Sequence, residues 1–458
     1  MKTKYCQDRP IFTSLSPNTE KDDIVLALKL IFQPWKWTNN RKSTIVENPL
    51  NLFEQKFKDY LGAKYAFTFN SGRTAFLAIL KCLTFEPDSE VLIQGFTCNA
   101  VVNPILAADL KPVFVDIEEE TLNINPDDLE KKITDKSKVV LVQHTFGLPA
   151  FAKAASFAEA ATKAESAGKP ADVSEDNKIV EICKKHNLIL IEDCAHSLGA
   201  TYNEKKLGTF GTAAFFSFGR DKVISSVFGG MAITNDEELA KRIGEYRDKL
   251  PEPSYFWIFQ QLLHPILTNF LVIPFYNFCG LGKWMLILLQ KLKILSKAVQ
   301  NKEKKGEMPA NFTKKMPEAL AILALNQFDK LNKILAHQKE IAGFYRENLK
   351  NTDFSLPPDL PGRIYMRYSL LLKDKDTDKI LKKARKQKIF LDDGWRKTAI
   401  VPPDTNQKKL GYRAGDCPIA EKIAENIINL PTHINISKKD AKRIIDFLKT
   451  KHTEARPL

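Results

Sequence analysis

The segment from Leu188 to Asp236, LILIEDCAHSLGATYNEKKLGTFGTAAFFSFGRDKVISSVFGGMAITND, carries three groups whose types could do chemistry together. Asp193 follows closely on the apolar run Leu188–Ile191, which reads as a buried strand, so its carboxylate sits at that strand's carboxyl end. Ser217 lies near the end of the next apolar run, Ala213–Phe218, and Lys222 follows in a loop before Gly229-Gly230. An amine, a carboxylate and a hydroxyl thus converge on one sheet edge. That set suits pyridoxal 5'-phosphate (PLP). Its aldehyde needs a lysine for a Schiff base, its ring nitrogen needs an acid that keeps it protonated, and its phosphate needs hydroxyl and N–H donors. A second set of phosphate donors is Phe69-Asn70-Ser71-Gly72-Arg73-Thr74, which follows a strand and opens a helix. Ser71, Gly72 and Thr74 would present donors at the positive end of the helix dipole, and Arg73 adds a fixed cation.

The elements that must position these groups repeat along residues 60–250. Short apolar runs come at Ala66–Phe69, Val91–Ile93, Pro112–Val115, Val139–Gln143, Leu188–Ile191, Ala213–Phe218 and Met231–Thr234. Helical patterns at Thr74–Cys82, Ala100–Ala108, Asp127–Lys132 and Lys178–Lys185 fill most of the gaps. Continuously apolar strands with helical crossovers predict an α/β domain with a mainly parallel seven-stranded sheet, whose ligands bind at the strands' carboxyl ends. Residues 1–45 read as an N-terminal arm, 46–250 as this large domain and 316–458 as a smaller C-terminal α+β domain.

Two stretches interrupt the pattern. Phe151–Ala171 is Ala-rich, ends in Gly168 and Pro170, and reads as an inserted surface helix. The other is 251–315. Its part Ser254–Gly282 holds no Asp, Glu, Lys or Arg and is long enough to span a bilayer, but Gln260, Gln261, His264, Pro265, Asn269, Pro274 and Asn277 dilute it. Lys283, Lys291, Lys293, Lys297, Lys302, Lys304 and Lys305 follow in a basic amphipathic pattern of the interfacial kind. The expectation for 254–305 is a helical layer that either packs in a dimer interface or touches a membrane.

Composition bounds the rest. The 458 residues, 44% hydrophobic and 27% charged, are too apolar for a disordered chain. An excess of 69 Lys and Arg over 55 Asp and Glu, net +14, favours anionic partners. The first residues lack the apolar core of a secretory signal. Seven cysteines without a C-x-x-C pair argue against a disulfide framework or a Cys-type zinc site and for a reducing, cytoplasmic compartment; no metal site is expected. No helix-turn-helix or zinc-finger pattern points to nucleic acid.

Taken in order, the motifs resemble the DegT/DnrJ/StrS family of fold-type I PLP-dependent aminotransferases, which act on nucleotide-linked keto sugars. Asn70–Ala75 resembles the family's phosphate-binding helix start, and Phe96-Thr97-Cys98 its F-T-F segment. Lys111–Ile117 with Leu122-Asn123-Ile124 is typical, and Ile191–His196 resembles E-D-x-A-Q/H. Ser217–Lys222 keeps the S-F-x-x-x-K spacing, and Pro418–Ile428 with Leu430–His433 resembles the C-terminal signature. The resemblance spans about 45–250 and 316–450 and implies roles by position. Lys222 would be the Schiff-base lysine and proton carrier, Asp193 the partner of the pyridine nitrogen, and His196 a neighbour of the phenolic oxygen. Ser217, Ser71, Gly72, Arg73 and Thr74 would surround the phosphate. Cys98 stands where the family usually stacks an aromatic ring, which makes Phe96 the substitute candidate. Asp248 stands where a partner-subunit Asn often reaches the phosphate. The resemblance further implies a homodimer, an amino-acid donor (glutamate foremost) and a role in surface polysaccharide or amino-sugar synthesis, at the inner face of the membrane if 254–305 binds one. The rivals are a PLP-dependent lyase or dehydratase, an aminotransferase for non-sugar ketones, and a membrane-associated scaffold or regulator with a vestigial site.

Overall fold

The structure is a computed structural model that describes residues 9–38, 48–152, 177–276, 280–309, 312–372 and 376–453. All seven apolar runs are strands of one sheet: β1 (Tyr65–Phe69), β2 (Glu90–Gln94), β3 (Lys111–Val115), β4 (Ser137–Gln143), β5 (Ile189–Asp193), β6 (Ala213–Ser217) and β7 (Gly230–Thr234). Their order is β1-β7-β6-β5-β4-β2-β3. Only β7 runs against its neighbours. The reason is the connection: a parallel crossover takes a dozen or more residues, usually a helix, and the twelve from Phe218 to Gly229 hold none. The central strands are buried on both faces, as their unbroken apolar sequence requires.

Six strands therefore share one direction. The carboxyl ends of β1, β5 and β6 lie on one edge, and the amino end of β7 joins them, with Gly230 registered to both Phe69 and Ser217. Three helices line the space above that edge, α2 (Gly72–Leu83), α3 (Tyr255–Leu267) and α4 (Leu281–Lys291), and α1 (Lys21–Ile31) packs on α3. Ser71 caps α2, its Oγ accepting the Thr74 N–H at 3.2 Å, so the helix starts where the strand stops.

A second core gathers Tyr345, Tyr368, Leu370, Ile444 and Phe447 around a three-stranded antiparallel sheet of Phe354–Ser355, Arg367–Leu372 and Ile427–Pro431. The N-terminal arm belongs partly to it: Ile11–Phe12 pairs in parallel with Ile389–Phe390, and His433 Nε2–H donates to the Phe12 carbonyl at 2.9 Å. The boundary expected at residue 316 is displaced. Helix Glu318–Phe328 packs in the large core, with Phe328 against Phe53, Phe57 and Tyr60. Its sequence is apolar almost all round, so it needs cover on several sides, which the large domain supplies. The next helix, Leu331–Leu349, crosses between cores: Leu331 and Ile334 lie in the large one, Ile341, Tyr345 and Leu349 in the small one.

Tyr255–Phe275 is apolar and long enough to cross a membrane, the one such helix among the described residues, yet half of it is buried. It bends through a π-helical turn at Thr268–Val272, and α4 returns along it. Gly282 makes the close return possible, since a Cβ there would lie 2.1 Å from the Val272 carbonyl oxygen. The hairpin packs directly on α1, and also on Trp37 beyond it, whose ring lies 5.8 Å from Tyr255 and 6.3 Å from Phe259. Of the Ala-rich stretch only Phe151 and Ala152 are described, both buried; the rest of that expected helix lies outside the described residues.

Candidate active site

A cavity of about 370 Å³ opens above the shared strand edge. Its lining includes Ser71, Gly72, Arg73, Cys98, Asp193, His196, Ser217 and Lys222, which brings together eight of the ten residues singled out from the sequence. The other two stand behind its wall. Thr74 is fully buried, and its hydroxyl donates to Asn70 Oδ1 at 2.7 Å and bonds the Phe312 carbonyl. At the helix start its N–H and its hydroxyl both meet Ser71 Oγ, at 3.2 and 3.0 Å. Phe96 is fully buried against Phe146 and Trp395, at ring distances of 6.4 and 5.6 Å, and does not face the cavity.

Asp193 ends β5, 3% exposed, with its Oδ1 accepting the Ala195 N–H at 2.9 Å. Burial pushes its carboxyl up to about 6, against the opposing pull of that N–H, Lys222 and His144. A buried carboxylate under that pressure favours a cationic partner in the cavity. His144 is structural: its Nε2–H donates to Glu192 at 3.1 Å and its Nδ1 accepts from Ala150 N–H at 3.0 Å.

His196 stacks on Phe146, ring centres 5.5 Å apart and planes within 10°, and meets Trp395 edge-on at 4.9 Å. Burial first, then Lys222 and Arg367, hold its imidazole well below the usual range, so it is neutral. Its Nδ1 accepts a long 3.5 Å bond from Phe146 N–H, which leaves the proton on Nε2.

Lys222 Nζ lies 3.8 Å from Asp221 Oδ1, and its carbonyl accepts from Asn18 Nδ2 of the N-terminal arm at 2.8 Å. Asp221 in turn accepts from Arg367 Nη2 at 2.9 Å, and the same guanidinium bonds Asp393. Burial would raise the Asp221 carboxyl, but Lys222 and Arg367 outweigh it and hold it below the usual range. The small domain thus reaches the lysine through Arg367.

The amino end of α2 is set in the cavity wall by close approach. A Cβ on Gly72 would lie 2.9 Å from Ser217 Cβ, and one on Gly230 only 2.3 Å from the Gly72 nitrogen. Two glycines press the amino end of α2 against the ends of β6 and β7, leaving a cradle of N–H groups with the Ser71 and Ser217 hydroxyls. Two cations flank it. Arg73 pairs with Glu303 and donates to the Ala298 carbonyl at 3.3 Å; Arg220 donates to the Ser296 carbonyl at 2.7 Å. Both guanidiniums sit near the Phe228 ring, at 5.9 and 5.3 Å, and burial lowers them to about 10 and about 9. Cys98 lines the cavity, its Sγ capping the next helix by accepting Ala100 N–H at 3.5 Å; burial raises its thiol.

The donor set fits PLP: a lysine amine, a buried acid, a neutral imidazole, and a helix start with two hydroxyls and two cations around one cavity. Sequence reasoning passed over Arg220 and Asp221, although they fill the variable places before Lys222. It also missed Trp395 and Asp393, signalled by a Trp in the turn Asp392-Asp393-Gly394-Trp395, and the wall made by His264, Leu286 and Gln290 of the hairpin with Ala298 and Val299 after it.

The chain is similar to proteins of known activity. The chain is 25% identical over 416 residues to the GDP-perosamine synthase of Caulobacter vibrioides, covering 89% of this chain and 90% of that one. It is 26% identical over 406 residues to the dTDP-3-amino-3,6-dideoxy-alpha-D-galactopyranose transaminase of Aneurinibacillus thermoaerophilus, covering 88% and 90%. The fold matches that of Helicobacter pylori PseC, an aminotransferase involved in pseudoaminic acid biosynthesis, with TM-score 0.69 and 21% identity over 98% of this chain and all of that one. The model of the DegT/DnrJ/EryC1/StrS aminotransferases matches residues 32–165, 152–250 and 287–449, and the chain belongs to that family.

Proposed function

We propose that the chain is a PLP-dependent aminotransferase that moves an amino group from an amino acid, glutamate foremost, to a keto sugar carried on a nucleotide. The observation that carries this is the meeting of Lys222, Asp193 and the α2 amino end around one cavity. When bound, the cofactor would supply an electron sink for the substrate carbon that gains or loses a proton. Lys222 would hold it covalently and, once released, its Nζ would take that proton and return it at the adjacent carbon. Asp193 would face the ring nitrogen, where a cation relieves its burial, and His196 would offer its Nε2–H to the phenolic oxygen. Ser71, Ser217 and the N–H groups of α2 would hold the phosphate. Arg73 and Arg220 suit a substrate that itself carries a diphosphate.

The family supports two wider parts of the reading: a homodimer and a cytoplasmic enzyme of amino-sugar or surface-polysaccharide synthesis. The test is visible absorbance of the purified protein before and after borohydride, beside Lys222→Ala, followed by product analysis with and without glutamate. A yellow band that borohydride abolishes and the variant lacks, with product that requires the amino donor, is expected. No band after PLP addition overturns the cofactor assignment. Turnover without a donor overturns amino transfer in favour of a lyase or dehydratase.

A further inference from the structure

The hairpin of α3 and α4 has two sides with different tasks. Its inner side is occupied. Gly282, Met285, Leu286, Leu289 and Gln290, at helical spacing, turn inward on α4, and Leu286 and Gln290 line the cavity. On α3, Gln261 and His264 are buried, and Gln261 Oε1 accepts from Ser296 at 2.9 Å. The chain then runs back to Arg220 and Arg73 through Ser296 and Glu303.

Its outer side is apolar and open. Leu281, Trp284, Leu288 and Leu292 recur at spacings of three and four on the outward face of α4, with Ile287 beside them; Trp284 is 66% exposed. Phe256 and Phe270 are exposed on the partner limb. Helix α1, which packs on α3, carries a second outward stripe of Val25, Leu28, Phe32 and Trp35, with Phe32 72% exposed. Apolar stripes at helical spacing normally face a core, and patches of this extent mark contact sites. The charge around them has one sign. No acid occurs between Glu252 and Glu303, while Lys283, Lys291, Lys293 and Lys297 are exposed on or just after α4, and Lys29 and Lys36 edge the α1 stripe. The acids at the far end of α1, Asp22 and Asp23, are taken up by Lys330. Residues 251–286, which carry Phe256, Phe270, Leu281 and Trp284, also fall outside the stretches that match the family, while Phe32, Trp35, Leu288 and Leu292 lie within them.

We infer that the outer face of the 255–292 hairpin, with the α1 stripe, is a docking surface for an anionic lipid membrane. The helices lie in the interface and do not span it. Trp and Leu side chains would enter the acyl boundary, and the lysines would meet lipid phosphates. The buried Gln261 and His264 exclude a spanning arrangement of α3, because they serve the cavity side. A second copy of this chain explains the apolar stripe less well, since like-charged lysine rims would face each other.

The inference concerns a surface and is read without turnover, so it stands or falls apart from the proposed reaction. The purified full chain is floated with vesicles of phosphatidylcholine alone or with about 30% phosphatidylglycerol. Expected is binding to the anionic vesicles that is lost at about 1 M salt, where screening acts within about 3 Å. Trp284→Glu with Leu288→Glu should lower the partition about tenfold or more. Lys283→Glu, Lys291→Glu and Lys293→Glu together, all at exposed sites, should abolish the anionic preference. Both variants should keep the wild-type circular dichroism and light-scattering mass. Absence of binding by the wild type, or binding unchanged in the lysine variant, overturns the inference. A wild type that ignores vesicles, with a fall in mass in the Trp284/Leu288 variant, assigns the face to a second copy instead.

Discussion

Replacing Asp193 with Asn should stabilise the cofactor-free protein while weakening cofactor binding. The carboxyl is 3% exposed, and burial raises it from 3.8 to about 6. Between those two values the folded state holds a proton that the unfolded chain has lost. Stability therefore falls as pH rises through this window, and above it the full cost of the buried charge is present, about 3 kcal/mol. Asn keeps an oxygen for the Ala195 N–H and carries no charge, so it removes that cost. Urea unfolding of the two apoproteins should then differ by about 3 kcal/mol at pH 8 and by about 1 kcal/mol at pH 4.5, with the variant ahead. Adding PLP at about one thousand times the wild-type dissociation constant should reverse the order, since it adds roughly 4.1 kcal/mol to the wild type while the variant binds it more weakly. A variant no more stable than wild type at pH 8, or a gap that does not shrink with acid, would refute the assignment of Asp193 as a carboxylate held against its own solvation for a cationic ligand.

Three further outcomes are expected. Arg73→Met should cost about 3 kcal/mol in urea unfolding, because it leaves the buried Glu303 unpaired, and adding Glu303→Gln should restore much of it in a double-mutant cycle. Gly230→Ala places a Cβ 2.3 Å from the Gly72 nitrogen, so it should lose about 1–3 kcal/mol and weaken PLP binding in an absorbance titration. Arg367→Leu removes one of the two cations that hold the Asp221 carboxyl low. It should move the acid limb of the kcat/KM profile to higher pH, and an unmoved limb would separate Arg367 from Lys222.

Much of the site was legible because its signals are local. The strands announce themselves as apolar runs, and Asp193, Ser217 and Lys222 follow from where two of those runs end. Ser71 and Gly72 are also local chemistry, read from one helix start, whereas Gly230 opens β7 and meets that start only in the fold. Thr74 shows the limit. Its position at the helix start is visible in sequence, but its hydroxyl turns to Asn70 and to the carbonyl of Phe312, 238 residues away in the chain. The domain boundary slipped for a similar reason: helix Glu318–Phe328 follows the inserted segment in sequence yet finds its cover in the large core.

The sequence by itself determined the strands of the sheet and the motifs that resemble the family's, since periodicity and motif spacing act over a few residues and survive without knowledge of contacts. Only the tertiary structure decided what surrounds them. It placed Arg367 between Asp221 and Asp393, Trp395 against His196, and the cavity side of the 255–292 hairpin over the amino end of α2, leaving its other side apolar, basic and open. Those pairings join residues dozens to hundreds of positions apart, and the burial that fixes them is a property of the packed chain and of no local stretch of it.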